Sequence, residues 1–464
     1  MKNTYSLTPK FVKKINTKYR RIITKIPPPG AISIIKKLRK YEPRSMSGHP
    51  LVVWDRAKGF QVYDKFGNKW IDFSSGILVA NAGHCCSDIQ NAIIKQVRKG
   101  LLHNYCFPSE IRAILVEKLV KLMPFPLRKV FLLSTGAEAV ETIIKILRTY
   151  GFKTGGKRKI GIISFSGAFH GRTLGAQMIG GISDLKKWIV NFDKNMYVSP
   201  FPNCFRCPWG KDEYNKCEEE CFNNSLEFLK QQGVVFSKIA GVLTETYQGA
   251  GATFIPKKFV QLLQKFCKKH KILLAFDEVQ AGFGRTGKMF GFEHYGVVPD
   301  ITCFGKGITS SLPLSVVIGR QDVMDICDTG TMTSTHTGNP VCIAAAIANI
   351  DYFIKNNLVK HAAYTGKILY NELEKIKCEF PERIGCIQGK GLVYGVHIVK
   401  KDSKEPDGNL AFKIVSKCIE KGLLFFSPVG FGGATIKIAP PLVITKDAVK
   451  EGASVLREAI SELV

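Results

Sequence analysis

Long apolar runs are missing from this 464-residue chain: no stretch approaches the ~18–20 uninterrupted apolar residues of a membrane span, so no span is expected. No secretory apolar region appears near the start, and neither an internal repeat nor a low-complexity tract interrupts the sequence. Acidic residues are scarce beside basic ones, 38 against 67, which leaves a formal net charge of +29. The first forty residues contain no Asp or Glu at all. Such a balance invites a non-enzymatic, nucleic-acid-binding reading. The excess is mostly lysine spread along the chain, without a recognisable nucleic-acid fold, so a basic solvated surface is the better account and no nucleic-acid partner is expected. Residues 1–25 form a basic extension whose composition suits an organellar transit peptide, but few arginines and little amphipathic regularity argue against one. A cytoplasmic location is expected.

Cysteine, by contrast, is plentiful, with 14 residues. Without a secretion signal these imply a reducing compartment. Cys204, Cys207, Cys217 and Cys221 cluster with gaps of two, nine and three residues, inside an insert at about 201–222. Four thiolates so spaced suit a structural zinc ion; the plainer reading is an insert of buried or idle thiols, and no metal is assigned. Length and an apolar fraction of 45% fit two domains with real cores. Alternating strand-like and helical patterns between about 110 and 350 favour a parallel α/β sheet.

The chemistry concentrates at two places. Ile272–Phe276 is an unbroken apolar run, as in a strand buried on both faces, and Asp277 ends it. Ligands gather at such carboxyl ends of open α/β sheets. Then 29 positions after Asp277 (306 − 277 = 29) stands Lys306, between Gly305 and Gly307 and just after the short run Ile301–Phe304. A buried carboxylate that holds a ring nitrogen protonated, and a lysine that carries the cofactor covalently and moves a proton, are what pyridoxal 5'-phosphate chemistry requires. Either residue alone reads as an ordinary charge on a solvated surface. Together, with Glu278-Val279-Gln280-Ala281-Gly282-Phe283-Gly284-Arg285-Thr286-Gly287 between them, they are specific.

That string resembles the signature of the class III (subgroup II) aminotransferases, the group of ornithine and 4-aminobutyrate aminotransferases, over about residues 26–464. The resemblance implies the fold-type-I architecture: a large domain with a mostly parallel, seven-stranded-type sheet, and a smaller α+β domain. The expected division is 26–90 and 346–464 for the small domain and 91–345 for the large one. It further implies a homodimer, Lys306 as the Schiff-base lysine and Asp277 as the partner of the ring nitrogen. Val279 would pack on the ring and Gln280 reach its hydroxyl. Gly136 and Ala137, after the strand Val130–Leu133, match the phosphate loop, where a helix start offers N–H groups to an anion. Phe169 would stack on the ring, His170 either packs or acts beside it, and Arg172 matches a residue that often binds a substrate carboxylate. Thr335 would donate to the phosphate across the dimer interface.

Two departures bear on substrate. Glu245 is kept, but Ala250 replaces a second glutamate, and Lys437 replaces an arginine with which that glutamate can pair in relatives. Lysine offers no planar bidentate fork, so the usual grip on an α-carboxylate is altered. Ile77, Tyr105 and Phe107 are further pocket candidates, with core packing as the plainer reading. The expected reaction moves an amino group from an amine or ω-amino donor to a keto acid. The same toolkit also serves an ammonia-lyase or an amino-acid racemase or epimerase.

Overall fold

The computed structural model describes residues 4–211, 217 and 219–464. The chain separates into two compact units: one made of the described part of 1–86 with Ala250–Ala252 and Asn357–Val464, the other of Ser87–Gly249 and Thr253–Asn356.

The second unit is built on a seven-stranded sheet: β1 (Leu127–Leu133), β2 (Gly161–Phe165), β3 (Met196–Ser199), β4 (Ile239–Glu245), β5 (Leu273–Asp277), β6 (Ile301–Phe304) and β7 (Ser315–Arg320). Their order across the sheet is β1-β7-β6-β5-β4-β2-β3, and β7 alone runs antiparallel to its neighbours. The central strands β4, β5 and β6 are buried along their whole length, which is why they read as unbroken apolar runs.

Helix α1 (Gly136–Gly155) covers this sheet with Ala139, Val140, Ile143, Ile146 and Leu147, residues on one helical stripe. They pack with Leu243, Leu273, Ala275, Ile301 and Val317. Each large aliphatic side chain so buried contributes about 1.5–3 kcal/mol. Helix α2 (Pro340–Lys355) starts with proline at its first position, and the Asn339 side chain caps it by accepting from Val341 and Cys342 N–H.

The first unit has two sheets. Strands 15–16, 21–22, 56–58, 61–63, 69–72 and 423–424 make one; Ile384–Lys390, Val393–Ile398 and Thr435–Ile438 make an antiparallel three-stranded one. Helices Leu358–Glu379, Gly408–Glu420 and Lys446–Ser461 complete it. The basic N-terminal segment is part of this structure: Ile22 is fully buried, and Arg20 pairs with Glu451 at 2.7 Å. No helix among the described residues is long and apolar enough to cross a membrane.

Candidate active site

Parallel pairing sets three polar side chains in one row at the carboxyl ends of adjacent strands. Asp277 on β5 is in register with Glu245 on β4 and with Cys303 on β6. Asp277 is buried, yet each oxygen is served: Oδ2 by His170 Nδ1 at 2.8 Å, Oδ1 by the Val279 N–H at 3.0 Å and the Cys303 thiol at 3.7 Å. A buried carboxylate with several donors is held as an anion with a fixed direction.

The pKa values of the neighbours of Asp277 are shifted upward. Burial works to lower the His170 pKa, but the hydrogen bond and charge of Asp277, with the charge of Glu245, raise it overall. Burial pushes Glu245 up to about 7; Asp277 adds to this, while His170 and the N–H groups of Phe169 and Gly249 oppose it. His170 Nε2 is buried without a hydrogen-bond partner among the described residues.

Lys306 follows β6 and takes a left-handed φ of +45°, which costs a non-glycine residue energy and marks a position fixed by its surroundings. Burial lowers its pKa, and Asp277, Glu245 and Cys303 pull the other way. The turn after it is tied to α2: Asn349 Nδ2 donates to Gly307 O and Ile308 O at 2.9 Å each, and Asn349 Oδ1 accepts from Ser310.

The start of α1 is shaped for an anion. A capping box joins Thr135 and Glu138: Glu138 N–H donates to Thr135 Oγ1, and Thr135 N–H to Glu138 Oε2. The N–H groups of Gly136 and Ala137 remain without partners among the described residues. A Cβ on Gly136 would stand 2.9 Å from Val279 Cγ1, and one on Gly305 3.4 Å from the same atom. Val279 therefore sits between the helix start and the lysine turn. Gly171, at φ +127°, brings the Phe169-His170 loop against Ala137, 2.7 Å from where its Cβ would stand.

Phe169 is half-buried and anchored through its N–H to Glu245 Oε2 at 3.1 Å. The exposed Arg172 guanidinium lies 5.7 Å from the centre of that ring. The Gln280 amide lies over Gly249, where any Cβ would collide with it. Asp277, Val279, Gln280, Gly136, Ala137, Phe169, His170, Glu245 and Lys306 all belong to this one unit.

Other expected residues stand apart. Thr335 is exposed in the loop before α2, and its hydroxyl makes no hydrogen bond among the described residues. Tyr105 and Phe107 are exposed rather than core. Ile77 and Lys437 belong to the first unit, Ile77 exposed at φ +67° and Lys437 buried on the strand Thr435–Ile438. Ala250 joins the same unit: Gly251 O accepts from His397 at 3.0 Å, and Gly395, the register partner of Lys437, closes on the same carbonyl. Gly251, next to Ala250, and Gly395, across from Lys437, thus come together.

The four clustered cysteines are free thiols, with Cys221 buried and its pKa pushed up to about 12, chiefly by burial. No group of three or more His, Cys, Asp or Glu among the described residues is arranged to hold a metal. Residues 212–216 and 218 of that insert lie outside the described residues.

Sequence reasoning missed Cys303 and Asn349. Only the identity of polar residues inside apolar segments pointed to them; their partners lie on other elements.

The donor set fits pyridoxal phosphate: N–H groups unpartnered among the described residues at a capped helix start, a buried carboxylate for a ring nitrogen, an aromatic on the loop beside it, and a half-buried, strained lysine. A fold-type-I, pyridoxal-phosphate-dependent enzyme is the class that fold and site define. The aminotransferase class-III profile matches residues 43–460, and the chain belongs to that family. It is 35% identical to an alanine/serine racemase of Pyrococcus horikoshii over 99% of this chain and 96% of that protein. It is 34% identical to a probable 4-aminobutyrate aminotransferase of Bacillus subtilis, over 87% and 92% respectively. A solved aminotransferase from Bacillus anthracis superposes with a TM-score of 0.84 at 29% identity, covering 93% of this chain and 98% of that one.

Proposed function

We propose that this enzyme transfers an amino group from an amine or ω-amino donor to a keto acid, with Lys306 as covalent anchor and base and Asp277 as partner of the ring nitrogen. The observation that carries it is the triply served Asp277 carboxylate in the strand-end row that leads to Lys306. When bound, the cofactor supplies an electron sink for the pair left as a proton leaves the substrate carbon. Gly136 and Ala137 N–H groups would hold the phosphate, Phe169 and Val279 would flank the ring, and Gln280 would reach its hydroxyl. Lys306, whose pKa burial lowers, would take the proton at Nζ and return it.

The donor is read from Ala250 and Lys437. Without the glutamate and the arginine fork, the site suits an ω-amine, an amino sugar or an aminophosphonate better than an ordinary α-amino acid. Arg172, exposed beside Phe169, is placed to meet an acidic group of either substrate. Ile77 would line the donor side. The exposed Thr335 hydroxyl, unpaired among the described residues, fits service to a second chain, and the working unit in this reading is a homodimer, placed in the cytoplasm.

A second reading is racemisation. It rests on two relatives, the alanine/serine racemase and a leucine/methionine racemase of Thermococcus litoralis at 34% identity. One experiment separates them. Enzyme sized by sedimentation is given a panel of amines and single-enantiomer amino acids, with and without keto acid. Transfer predicts sustained turnover only with keto acid, from a species of two chains. Loss of chirality at full rate without keto acid selects racemisation, and a strong preference for ornithine or another ordinary amino acid refutes the donor assignment.

A further inference from the structure

We propose that Cys303 is a positioning residue for the reaction: its thiol is a built donor to Asp277 and helps keep that carboxylate ionised and aimed. The inference rests on the reading of Asp277 as the ring-nitrogen partner. Three observations carry it.

The first is register. Cys303 lies directly across from Asp277 on the neighbouring parallel strand, so the sheet ladder itself fixes their approach. The second is contact. Cys303 Sγ stands 3.7 Å from Asp277 Oδ1, within reach of a thiol donor, and shares that oxygen with the Val279 N–H while His170 serves Oδ2. The third is protonation. Cys303 is fully buried, and burial together with the facing Asp277 charge raises its pKa well above the ordinary range. The sulfur therefore keeps its proton at any working pH and meets Asp277 only as a donor.

The consequence follows from charge. Each donor on a carboxylate favours its anion, and an anionic Asp277 leaves the shared proton on the ring nitrogen rather than taking it. Removing the thiol leaves Asp277 Oδ1 with one donor fewer and loosens the direction in which it faces the ring nitrogen. A thiol is a weak donor, so the effect is a graded adjustment beside the His170 bond.

The competing explanation is packing, since Cys303 also belongs to the apolar cluster under α1. Valine fills similar space without a donor, whereas serine keeps one. The test uses holoenzyme of the wild type, Cys303→Val, Cys303→Ser and Asp277→Ala, and reads two quantities: the rate of cofactor release and the pH at which the visible absorbance changes. Expected are a roughly two- to tenfold faster release for Cys303→Val, the range of one net hydrogen bond, a displaced pH midpoint, and recovery of both in Cys303→Ser. Cys303→Val matching the wild type, or Cys303→Ser failing as Cys303→Val does, overturns the proposal. Asp277→Ala without effect on either readout would instead overturn the reading of Asp277. If Cys303→Val does not fold, the infrared S–H stretch decides: the Asp277→Ala difference spectrum should show a buried thiol band rising in frequency as its acceptor is lost, and an unchanged band contradicts the bond.

Discussion

Glu245 is a carboxylate whose ionisation the fold resists. Its pKa, raised to about 7 by burial, exceeds that of an unfolded glutamate, so the folded state holds a proton that the unfolded state has already lost. The contribution is therefore fully present below the unfolded value, near ~4.3, and is lost as pH rises through about 7. Glu245→Gln keeps an acceptor for one of the Phe169 and Gly249 N–H groups and cannot ionise. We expect its stability to fall less than that of the wild type between pH 5 and 8, by on the order of 3 kcal/mol at ~1.4 kcal/mol per unit. Denaturant melts at the two pH values measure this; parallel slopes for the two proteins would sink it. At this scale the sequence was legible where chemistry is chain-local. Asp277, Val279 and Gln280 lie within four residues of one another, and Lys306 is framed by glycines. Cys303 and Asn349 were not legible, because register and a helix contact make their partners, and neither follows from nearby residues.

The start of α1 separates folding from binding. Glycine at the first helical position is a poor helix former, so Gly136→Ala should leave stability equal or slightly higher, by up to about 1 kcal/mol. The new methyl would press on Val279 Cγ1, 2.9 Å away, and push that side chain or the N–H groups of the helix start from their places. We expect cofactor affinity to fall by roughly tenfold, or ~1.4 kcal/mol, with an unchanged melting temperature of the cofactor-free protein. Equal affinity, measured by cofactor titration, would mean that the cradle lies elsewhere. Helix and strand positions were largely visible in the pattern: the apolar runs at 272–276 and 301–304 correspond to β5 and β6. Boundaries moved by a few residues: the strand read at Val130–Leu133 begins earlier, at Leu127, as β1. The short pairings of the N-terminal segment were invisible, since two-residue strands carry no period.

For the whole molecule, the formal charge of +29 describes a surface, while function rests on a few buried groups of compensated charge. The family and its cofactor follow from a signature that spans most of the chain, and the seven-stranded sheet explains why distant segments meet. Substrate choice is the weakly legible part. Ala250 and Lys437 are 187 residues apart (437 − 250 = 187), and the approach of their neighbours Gly251 and Gly395 is a product of the fold. The central claim is that one lysine, Lys306, carries the chemistry. Reducing the holoenzyme with borohydride fixes the cofactor to whichever amine holds it, and peptide mapping then reads the position. The account predicts label on the peptide containing Lys306, absent from Lys306→Ala together with the visible absorbance. Stoichiometric label on another lysine, or label that survives in Lys306→Ala, would contradict it.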